Sequence, residues 1–403
     1  MAYHVRPLEL NDPRRAELEL SRVGADPAGV AKMRDKAGFL ALRAVGLKSP
    51  AANILKQEML SLGGDAAVGR WVVTCSEERS DAVILGTRKQ MRALVRKLRP
   101  QPFGLKVLAG EIQQFLSTES HPRALSWPGG VLRLSERPHV MGILNVTPDS
   151  FSDGGDHLAP ETALERALAM IAEGADIVDV GGESTRPGAE PVPAEEELRR
   201  VLPVIEHLAP RVPVPLSVDT VKPEVARTAA AAGASIVNDV SGLRADPGMA
   251  AAVAQAGCAL VVMHMRGTPR TMQRDTRYAD LVGDVLEGLE QSVDLAVAAG
   301  VPRDRVIVDP GLGFGKDVQG NLLLLRRLGE LRGLGCPLLV GPSRKSFIGK
   351  VLGSEVPKDR LEGSLAAAVV AVCNGAHIVR AHDVAATRRA VELAWAVQRA
   401  AEG

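Results

Sequence analysis

The chain has 403 residues, of which 46% are apolar, and 49 lysines and arginines nearly balance 48 aspartates and glutamates, leaving a net charge of +1. This length provides core for two domains without disulfide or metal support. The near neutrality and the 3% aromatic content argue against a nucleic-acid partner. The lack of an 18-residue apolar stretch argues against a membrane partner. Four scattered cysteines without a CxxC motif are typical of a reduced, cytoplasmic protein.

The first part of the chain, residues 1–120, predicts a small α/β domain of unknown function. We expect strands at 38–45, 70–74 and 81–85, and helices at 49–60, 87–98 and 104–115. Ser49 before Pro50 is typical of an N-cap followed by the first helical residue. The helix at 87–98 is basic, which fits a solvated face better than a contact with nucleic acid or with an acidic partner.

Residues 121–136 predict a linker followed by a hairpin that turns at 128–130, where Pro-Gly-Gly stands. We expect this hairpin to close the N-terminal end of the domain that follows.

Residues 137–403 contain eight apolar runs, each followed by a segment with helical periodicity. The runs are 139–146, 176–180, 214–218, 235–240, 258–264, 305–309, 337–340 and 376–380. Several predicted helices are followed by a glycine before the next run, as at Gly174, Gly233, Gly257 and Gly375. A glycine there suits a left-handed helix cap. The pattern predicts a (β/α)8 TIM barrel of α/β class behind the small α/β domain. Periodicity alone leaves an open, doubly wound sheet as the alternative.

In such a barrel the chemistry lies where the strands end, and polar residues follow almost every run. A capping role explains any single one of them. Their convergence on one mouth, however, would be costly without a ligand. Asp219, Asn238, Asp309 and Lys345 suit a flat heterocycle with donor and acceptor edges. Asn145, Arg186, Arg380 and His382 suit a phosphate or diphosphate.

Other conspicuous residues have simpler explanations. The stretch from Gly311 to Lys316 (GLGFGK) lacks the spacing of a phosphate-binding loop. We expect His264 to be packed or hydrogen-bonded, and Glu183 to be either a metal ligand or part of an ion pair with an arginine. Ser184 and Ser346 lie outside a GxSxG elbow, which argues against covalent catalysis.

Seven ordered motifs within residues 125–398 resemble those of the dihydropteroate synthase family. They are NVTPDSFSDGG from Asn145, GGESTRPGA from Gly181, SVDT from Ser217, NDVSG from Asn238, DPGLGFGK from Asp309, SRKSFIG from Ser343 and RAHDV from Arg380. The last motif has Ala381 where this family often has a β-branched residue, a change that removes no functional group. The resemblance implies a transferase of folate biosynthesis that joins a pterin diphosphate to p-aminobenzoate, and a target of sulfonamides.

The resemblance also implies a role for each matching residue. The pterin would be bound by Asp219, Asn238, Met263, Asp309 and Lys345. The diphosphate would be bound by Asn145, Arg186, Arg380 and His382, with Asn145 as a Mg²⁺ ligand. The p-aminobenzoate would be bound by Thr185, Pro187, Phe314, Lys345 and Ser346. The catalytic set would be Asp149, Asp153, Arg186, Lys345, Arg380 and His382, the first two on a loop that closes over the substrates.

Three alternatives to this activity stay open at this point. The first is a pterin-binding methyltransferase domain, which would keep Asp219, Asn238 and Asp309 but need no diphosphate site. The second is a binding module without catalysis, and the third is a relative that uses a bulkier aminobenzoate glycoside. Family members commonly pair through outer helices, so the resemblance also implies a homodimer, in which the Ala-rich segment 361–373 is one candidate face.

Overall fold

The computed structural model describes residues 5–118, 124–146, 160–184 and 188–400. The chain divides into two compact units, Met1–Glu119 and Ser120–Gly403. None of the helices in the described ranges combines the length and apolar character that a membrane crossing requires.

The first unit is a three-stranded antiparallel sheet, in the order β1-β3-β2, with helices packed against it. Its elements are α1 (Pro13–Arg22), α2 (Pro27–Ala37), β1 (Phe39–Lys48), α3 (Ser49–Ser61), β2 (Asp65–Val68), β3 (Arg79–Thr87), α4 (Arg88–Leu98) and α5 (Leu105–Thr118). One face of β3 and the inner faces of α3 and α4 bury a shared core that includes Leu55, Met59, Ile84, Met91 and Leu94. The unit therefore has its own apolar core, as an independent α/β domain requires.

Two predictions for this unit are wrong. The expected strand at 70–74 is not a strand: β2 lies earlier, and Val72–Thr74 is a short 3-10 turn. Val72 is fully buried, and its carbonyl accepts a hydrogen bond from Asn53 Nδ2 of α3 at 2.8 Å, so this run packs against a helix instead of pairing with β3. Ser49 is the first residue of α3, not its N-cap, and its hydroxyl donates to the carbonyl of Glu77.

Two basic side chains of α4 form ion pairs within the unit. Arg92 contacts Asp35, and Lys97 contacts Glu58. All four side chains belong to the first unit, and Arg92 and Lys97 are both more than one third exposed. These contacts favour a solvated, ion-paired face over a docking surface for an acidic partner.

The second unit is a barrel of eight parallel strands, which confirms the predicted fold. The strands are β6 (His139–Asn145), β7 (Ile177–Gly181), β8 (Leu216–Asp219), β9 (Ile236–Asp239), β10 (Ala259–Met263), β11 (Val306–Asp309), β12 (Leu339–Val340) and β13 (Ile378–Ala381). Neighbouring strands follow the order β11-β10-β9-β8-β7-β6-β13-β12, and a parallel bridge between Val308 and Leu338 closes the ring. Each strand lies within two residues of its predicted position.

Helices surround these strands. They are α6 (Pro160–Ala172), α7 (Ala194–Leu208), α8 (Pro223–Ala231), α9 (Met249–Ala256), α10 (Leu281–Ala298), α11 (Val318–Arg326), α12 (Ser346–Leu352), α13 (Leu361–Cys373) and α14 (Val384–Arg399). The glycines predicted to follow helices have positive φ, for example 102° at Gly174 and 115° at Gly233. At these positions a residue with a side chain would be strained, which is why glycine ends the preceding helices.

A hairpin lies at the N-terminal end of the barrel. It consists of β4 (Leu125–Trp127) and β5 (Gly130–Leu132), and Gly129 at its turn has a φ of 91°. Leu125 and Leu134 are buried in one cluster with residues from the inside of the barrel, such as Met141 and Ile307. The hairpin segment thus covers the interior layer at this end, and the opposite, C-terminal end is left for polar side chains.

Candidate active site

The strand register brings the predicted polar residues to one end of the barrel. Asn145, Asp219, Met263 and Asp309 are the last residues of β6, β8, β10 and β11. Asn145 pairs in register with Gly181, which in turn pairs with Asp219, so the ends of these strands are level. Arg380 lies near the end of β13, which pairs with β6. The barrel therefore places acidic, amide and basic groups around a single mouth.

Arg380 is the centre of a buried ionic network. Its Nη2 donates to Asp219 Oδ2 at 2.8 Å, and its Nε donates to Asp179 Oδ2 at 2.6 Å. Asp179 is fully buried and also accepts from Asn238 Nδ2 at 3.1 Å. Four side chains from four strands are thereby held in one arrangement, because each bond removes a rotational freedom of its neighbour.

Burial destabilises the ionised form of two carboxyl groups at the mouth, those of Asp219 and Asp309. Burial raises the pKa of Asp219 to about 7, although the charge of Arg380 acts in the opposite direction. Burial also raises the pKa of Asp309, against the effect of the hydrogen bond that Gly311 N donates to its Oδ1 at 2.7 Å. Carboxyl groups with raised pKa values at a strand end are typical of a site that binds a cationic or donor-rich ligand.

Lys345 lies opposite these acids and against an aromatic ring. Its Nζ is 4.1 Å from the centroid of the Phe314 ring. Burial, together with the charge of Arg380, lowers the pKa of Lys345 to about 8. Phe314 and Met263 are both buried, within a small apolar cluster that also contains Met265 and Met272. One wall of the mouth is therefore apolar with a cation above it, which suits a planar ring.

His382 is held by its neighbour Ser343. The backbone N–H of His382 donates to Ser343 Oγ at 3.2 Å, and the same oxygen lies 3.0 Å from His382 Nδ1. These two contacts hold the imidazole ring in one orientation. Burial and the charge of Arg380 lower the pKa of His382 to about 3. With this low pKa the imidazole of His382 is neutral near pH 7, so it would meet an anion as a hydrogen-bonding group and not as a cation.

Not every predicted site residue can be placed. Asp149, Asp153, Thr185, Arg186 and Pro187 lie outside the described residues. Ser346 is exposed at the start of α12, next to Lys345. Within the described ranges, no group of three or more histidine, cysteine, aspartate or glutamate side chains could hold a metal ion.

Sequence reasoning missed two buried charged residues. Asp179 lies in the middle of β7, and Lys316, in the loop after β11, is only 3% exposed. A lone aspartate inside an apolar strand is a signal in itself, because it needs a partner.

Glu183, predicted as a metal ligand or as the partner of an arginine, forms its ion pair with Lys222 instead. Lys222 also contacts the fully buried Glu197.

The comparisons with known proteins agree on one family. A family model described as pterin binding enzyme matches residues 141–382. The dihydropteroate synthase of Synechocystis is 49% identical over 264 residues, which are 66% of this chain and 91% of that protein. A solved structure, the dihydropteroate synthase of Xanthomonas albilineans with 4-aminobenzoic acid, has a TM-score of 0.65 and 49% identity, and the match covers 69% of this chain and 99% of that one.

One relative extends across both units. The probable bifunctional folylpolyglutamate synthase/dihydropteroate synthase of Halobacterium salinarum is 44% identical over 393 residues, or 98% of this chain. The match covers 47% of that longer protein. A sequence similar to the first unit is therefore joined to a similar barrel in that protein as well.

Proposed function

The chain belongs to the dihydropteroate synthase family, and we propose that its barrel mouth condenses 6-hydroxymethyl-7,8-dihydropterin diphosphate with p-aminobenzoate, releasing diphosphate and forming 7,8-dihydropteroate. The observation that supports this most directly is the shared network of Asp219, Asn238 and Arg380 beside Asp309 and Lys345. It offers acceptors for the donor edge of a pterin and donors for a diphosphate at one mouth.

Asp219, Asn238, Asp309 and Lys345 bind the pterin ring, with Met263 against its face. The amino and N–H groups of a pterin need acceptors, which the two carboxylates provide, and its carbonyl needs a donor such as Lys345. Asp179 fixes the amide of Asn238 through Nδ2, which orients the amide before the ligand arrives. A donor-rich ligand at Asp219 favours the carboxylate form and so reverses part of the cost of its burial.

Arg380, His382, Asn145 and Arg186 bind the diphosphate. Asp179 and Asp219 engage two of the five N–H groups of Arg380, and the others can serve phosphate oxygens. When the pterin takes over Asp219, Asp179 still neutralises Arg380, so no buried cation is left unpaired. His382 adds a neutral hydrogen-bonding group.

Asn145 is the proposed protein ligand of Mg²⁺. Its side-chain oxygen belongs to the hard ligands that Mg²⁺ prefers, and the described residues offer no carboxylate cluster that would bind the ion alone. Such a site requires oxygens from the diphosphate and from water, which fits an ion that keeps several waters. Bound there, Mg²⁺ would supply positive charge beside the leaving group.

The reaction begins with departure of the leaving group. The C–O bond at the pterin methylene carbon breaks, its electron pair leaves with the diphosphate, and Arg380 and His382 stabilise the developing negative charge. The carbocation is delocalised into the pterin, where Asp219 and Asp309 stabilise it electrostatically. Asp149 and Asp153 are the loop residues proposed to assist.

The amine of p-aminobenzoate then forms the N–C bond and loses a proton. This amine is a weak nucleophile, so its position matters more than base catalysis. Phe314, with Lys345 above its ring, provides one wall for the aminobenzoate, and Thr185, Pro187 and Ser346 complete the proposed pocket.

Steady-state diphosphate release tests this function. It should require the pterin diphosphate, p-aminobenzoate and Mg²⁺, match dihydropteroate formation one to one, and fall when a sulfonamide is added. Removal of Mg²⁺ with EDTA should stop release, and added Mg²⁺ should restore it. Binding of the pterin without any release would contradict the proposal and favour a methyl carrier or a sensor.

We further propose that two copies of the barrel pair through α12, α13 and α14. These helices pack side by side, and they carry exposed apolar side chains on the outside of the barrel. The side chains are Val351, Leu352, Val370, Leu393 and Val397. Covering apolar surface of this kind would favour a dimer.

A further inference from the structure

The loop after β11, residues 310–316, has an unusual backbone. Gly311, Gly313 and Gly315 have φ values of 68°, 83° and 66°, all in the left-handed region. A Cβ added at Gly311 would lie 2.1 Å from the carbonyl oxygen of His264, so no other residue fits there. Alternating left-handed residues turn several carbonyls of this loop away from regular hydrogen bonds, and those carbonyls need other partners.

Lys316 bonds to two of these loop carbonyls from inside the protein, and to a third carbonyl at the end of β10. Its Nζ donates to the carbonyls of Phe314 at 2.8 Å, Gly311 at 3.1 Å and His264 at 3.1 Å. The loop is thus tied both to itself and to the end of β10. Burial lowers the pKa of Lys316 to about 7, which shows that this ammonium is costly to place here.

The outer side of the same loop is also held by side chains. Gln273 Nε2 donates to the carbonyl of Gly313, and Tyr278 Oη donates to the carbonyl of Gly315, both at 2.9 Å. Asn321 accepts from Gly313 N at 2.6 Å and donates to the carbonyl of Lys316 at 3.2 Å. The loop is therefore fixed from two sides, a degree of restraint that a connecting loop does not need.

Phe314 is the side chain that this restraint fixes. Its neighbours in the loop, Gly313 and Gly315, are both tied down, and its own carbonyl is held by Lys316. A Cβ at Gly313 would lie 3.1 Å from Lys345 Cδ, so the loop backbone also supports the stem of Lys345. Small movements of this loop would change the distance between the Phe314 ring and the Lys345 ammonium.

We propose that Lys316 is a positioning residue, assisted by Gln273, that sets the width of the p-aminobenzoate pocket by fixing Phe314 against Lys345. This inference rests on the proposed function, since it assigns Phe314 to the aminobenzoate wall. Lys316 itself touches neither substrate. Its removal should act mainly on the second substrate, because Asp219 and Asn238, two of the proposed pterin contacts, lie on β8 and β9, away from this loop.

The test compares Lys316→Met and Gln273→Ala with the wild-type enzyme. The KM for p-aminobenzoate should rise about 10-fold in Lys316→Met and about 3-fold in Gln273→Ala, as expected for the loss of charged and neutral hydrogen bonds. The inhibition constant of a sulfonamide should rise by the same factors. The dissociation constant of the pterin diphosphate, measured by calorimetry, should rise by a smaller factor than the KM for p-aminobenzoate, because Asp309 and Lys345 contact this loop whereas Asp219 and Asn238 do not. Lys358→Met is the matched control, because it removes an exposed lysine in the same unit.

Gln273 keeps the proposal testable if Lys316→Met does not fold, because this side chain is exposed and its replacement leaves the core intact. An unchanged KM for p-aminobenzoate in folded Lys316→Met, or in Gln273→Ala if Lys316→Met does not fold, would overturn the inference. Parallel losses of pterin and aminobenzoate binding would also overturn it, since they indicate general unfolding of the mouth. If the wild-type enzyme forms no dihydropteroate, the proposed function fails instead.

Discussion

Replacing Asp219 by asparagine should change the pH dependence of barrel stability in a predictable direction. Burial raises the pKa of Asp219 from 3.8 to about 7, so the folded protein holds a proton that the unfolded chain has lost. Stability from this group is therefore complete below the unfolded pKa and is lost as the pH rises through the folded value. A rise of about three pH units corresponds to about 4 kcal/mol.

Asparagine cannot ionise, so Asp219→Asn removes this pH-dependent loss. The free energy of unfolding of the variant minus that of the wild type should therefore increase by about 3–4 kcal/mol from pH 4 to pH 8, because only the wild type loses this stability. Arg380 remains paired with Asp179 in the variant, which limits the cost of losing its second carboxylate. The same variant should lose pterin binding, because a carboxylate acceptor is replaced by an amide.

Urea denaturation followed by tryptophan fluorescence measures this effect. Trp127 and Trp395 lie in the barrel unit and Trp71 in the first unit, so a Trp71→Phe background reports on the barrel alone. Asp304→Asn, at an exposed position, controls for the change in net charge. If the stability difference between Asp219→Asn and its parent is the same at pH 4 and pH 8, burial does not control this carboxyl group and the reasoning is wrong.

Three further predictions concern the mouth and the outer helices. Because Asp219 must be ionised and Lys345 protonated, kcat/KM for the pterin diphosphate should peak between pH 7 and pH 8. Lys345→Met should remove the alkaline limb and lower kcat/KM about 10- to 100-fold, and a retained limb would assign it to another group. Phe314→Leu should raise both the KM for p-aminobenzoate and the inhibition constant of a sulfonamide about 3- to 10-fold, while pterin affinity stays constant. Unequal changes in those two constants would contradict the idea that both ligands pack against Phe314. Leu393→Glu should convert a dimer into a monomer in light scattering, whereas a wild type that is already monomeric would end the dimer proposal.

The barrel was predictable because its strands are buried on both faces. Each is a short apolar run, several are preceded by a glycine that ends a helix, and most end at a polar residue, so periodicity and turn chemistry give the same answer. The wrong strand at 70–74 has the opposite cause. Its β-branched residues favour a strand, but the space beside β3 is taken by β2, and burial of Val72 against α3 decides the conformation.

Two helices, α1 and α2, were missed although their signals are present. Each begins at a proline that follows an aspartate, and the side chains of Asp12 and Asp26 accept hydrogen bonds from the first turn of their helices. An aspartate followed by proline is a combined N-cap and first-position signal. Both segments are short, α1 is mostly polar, and α2 has weak apolar periodicity, so the cap signal had little support from the pattern that follows it.

The missed residues of the site share a physical property that explains why they were missed. Asp179 and Lys316 are buried charges, and each has a partner from a distant part of the chain, Arg380 for the first and His264 for the second. No local pattern shows such a pair, because sequence periodicity reports which face is buried and not which charges meet there.

Burial of acids at the mouth also explains why the site residues at the strand ends could be found. Asp219 and Asp309 each oppose folding as carboxylates, since burial raises the pKa of both. Burial of apolar side chains in the layers inside and around the strands offsets the cost of burying these two carboxylates. An acid at the end of an apolar strand is thus locally unfavourable, and it persists where binding needs a carboxylate in that place. Charged residues at apolar, buried positions were therefore the informative ones in this sequence. Burial opposes the charged form of Lys316 as well, so the substitution of Lys316 described above tests whether that position, too, serves binding.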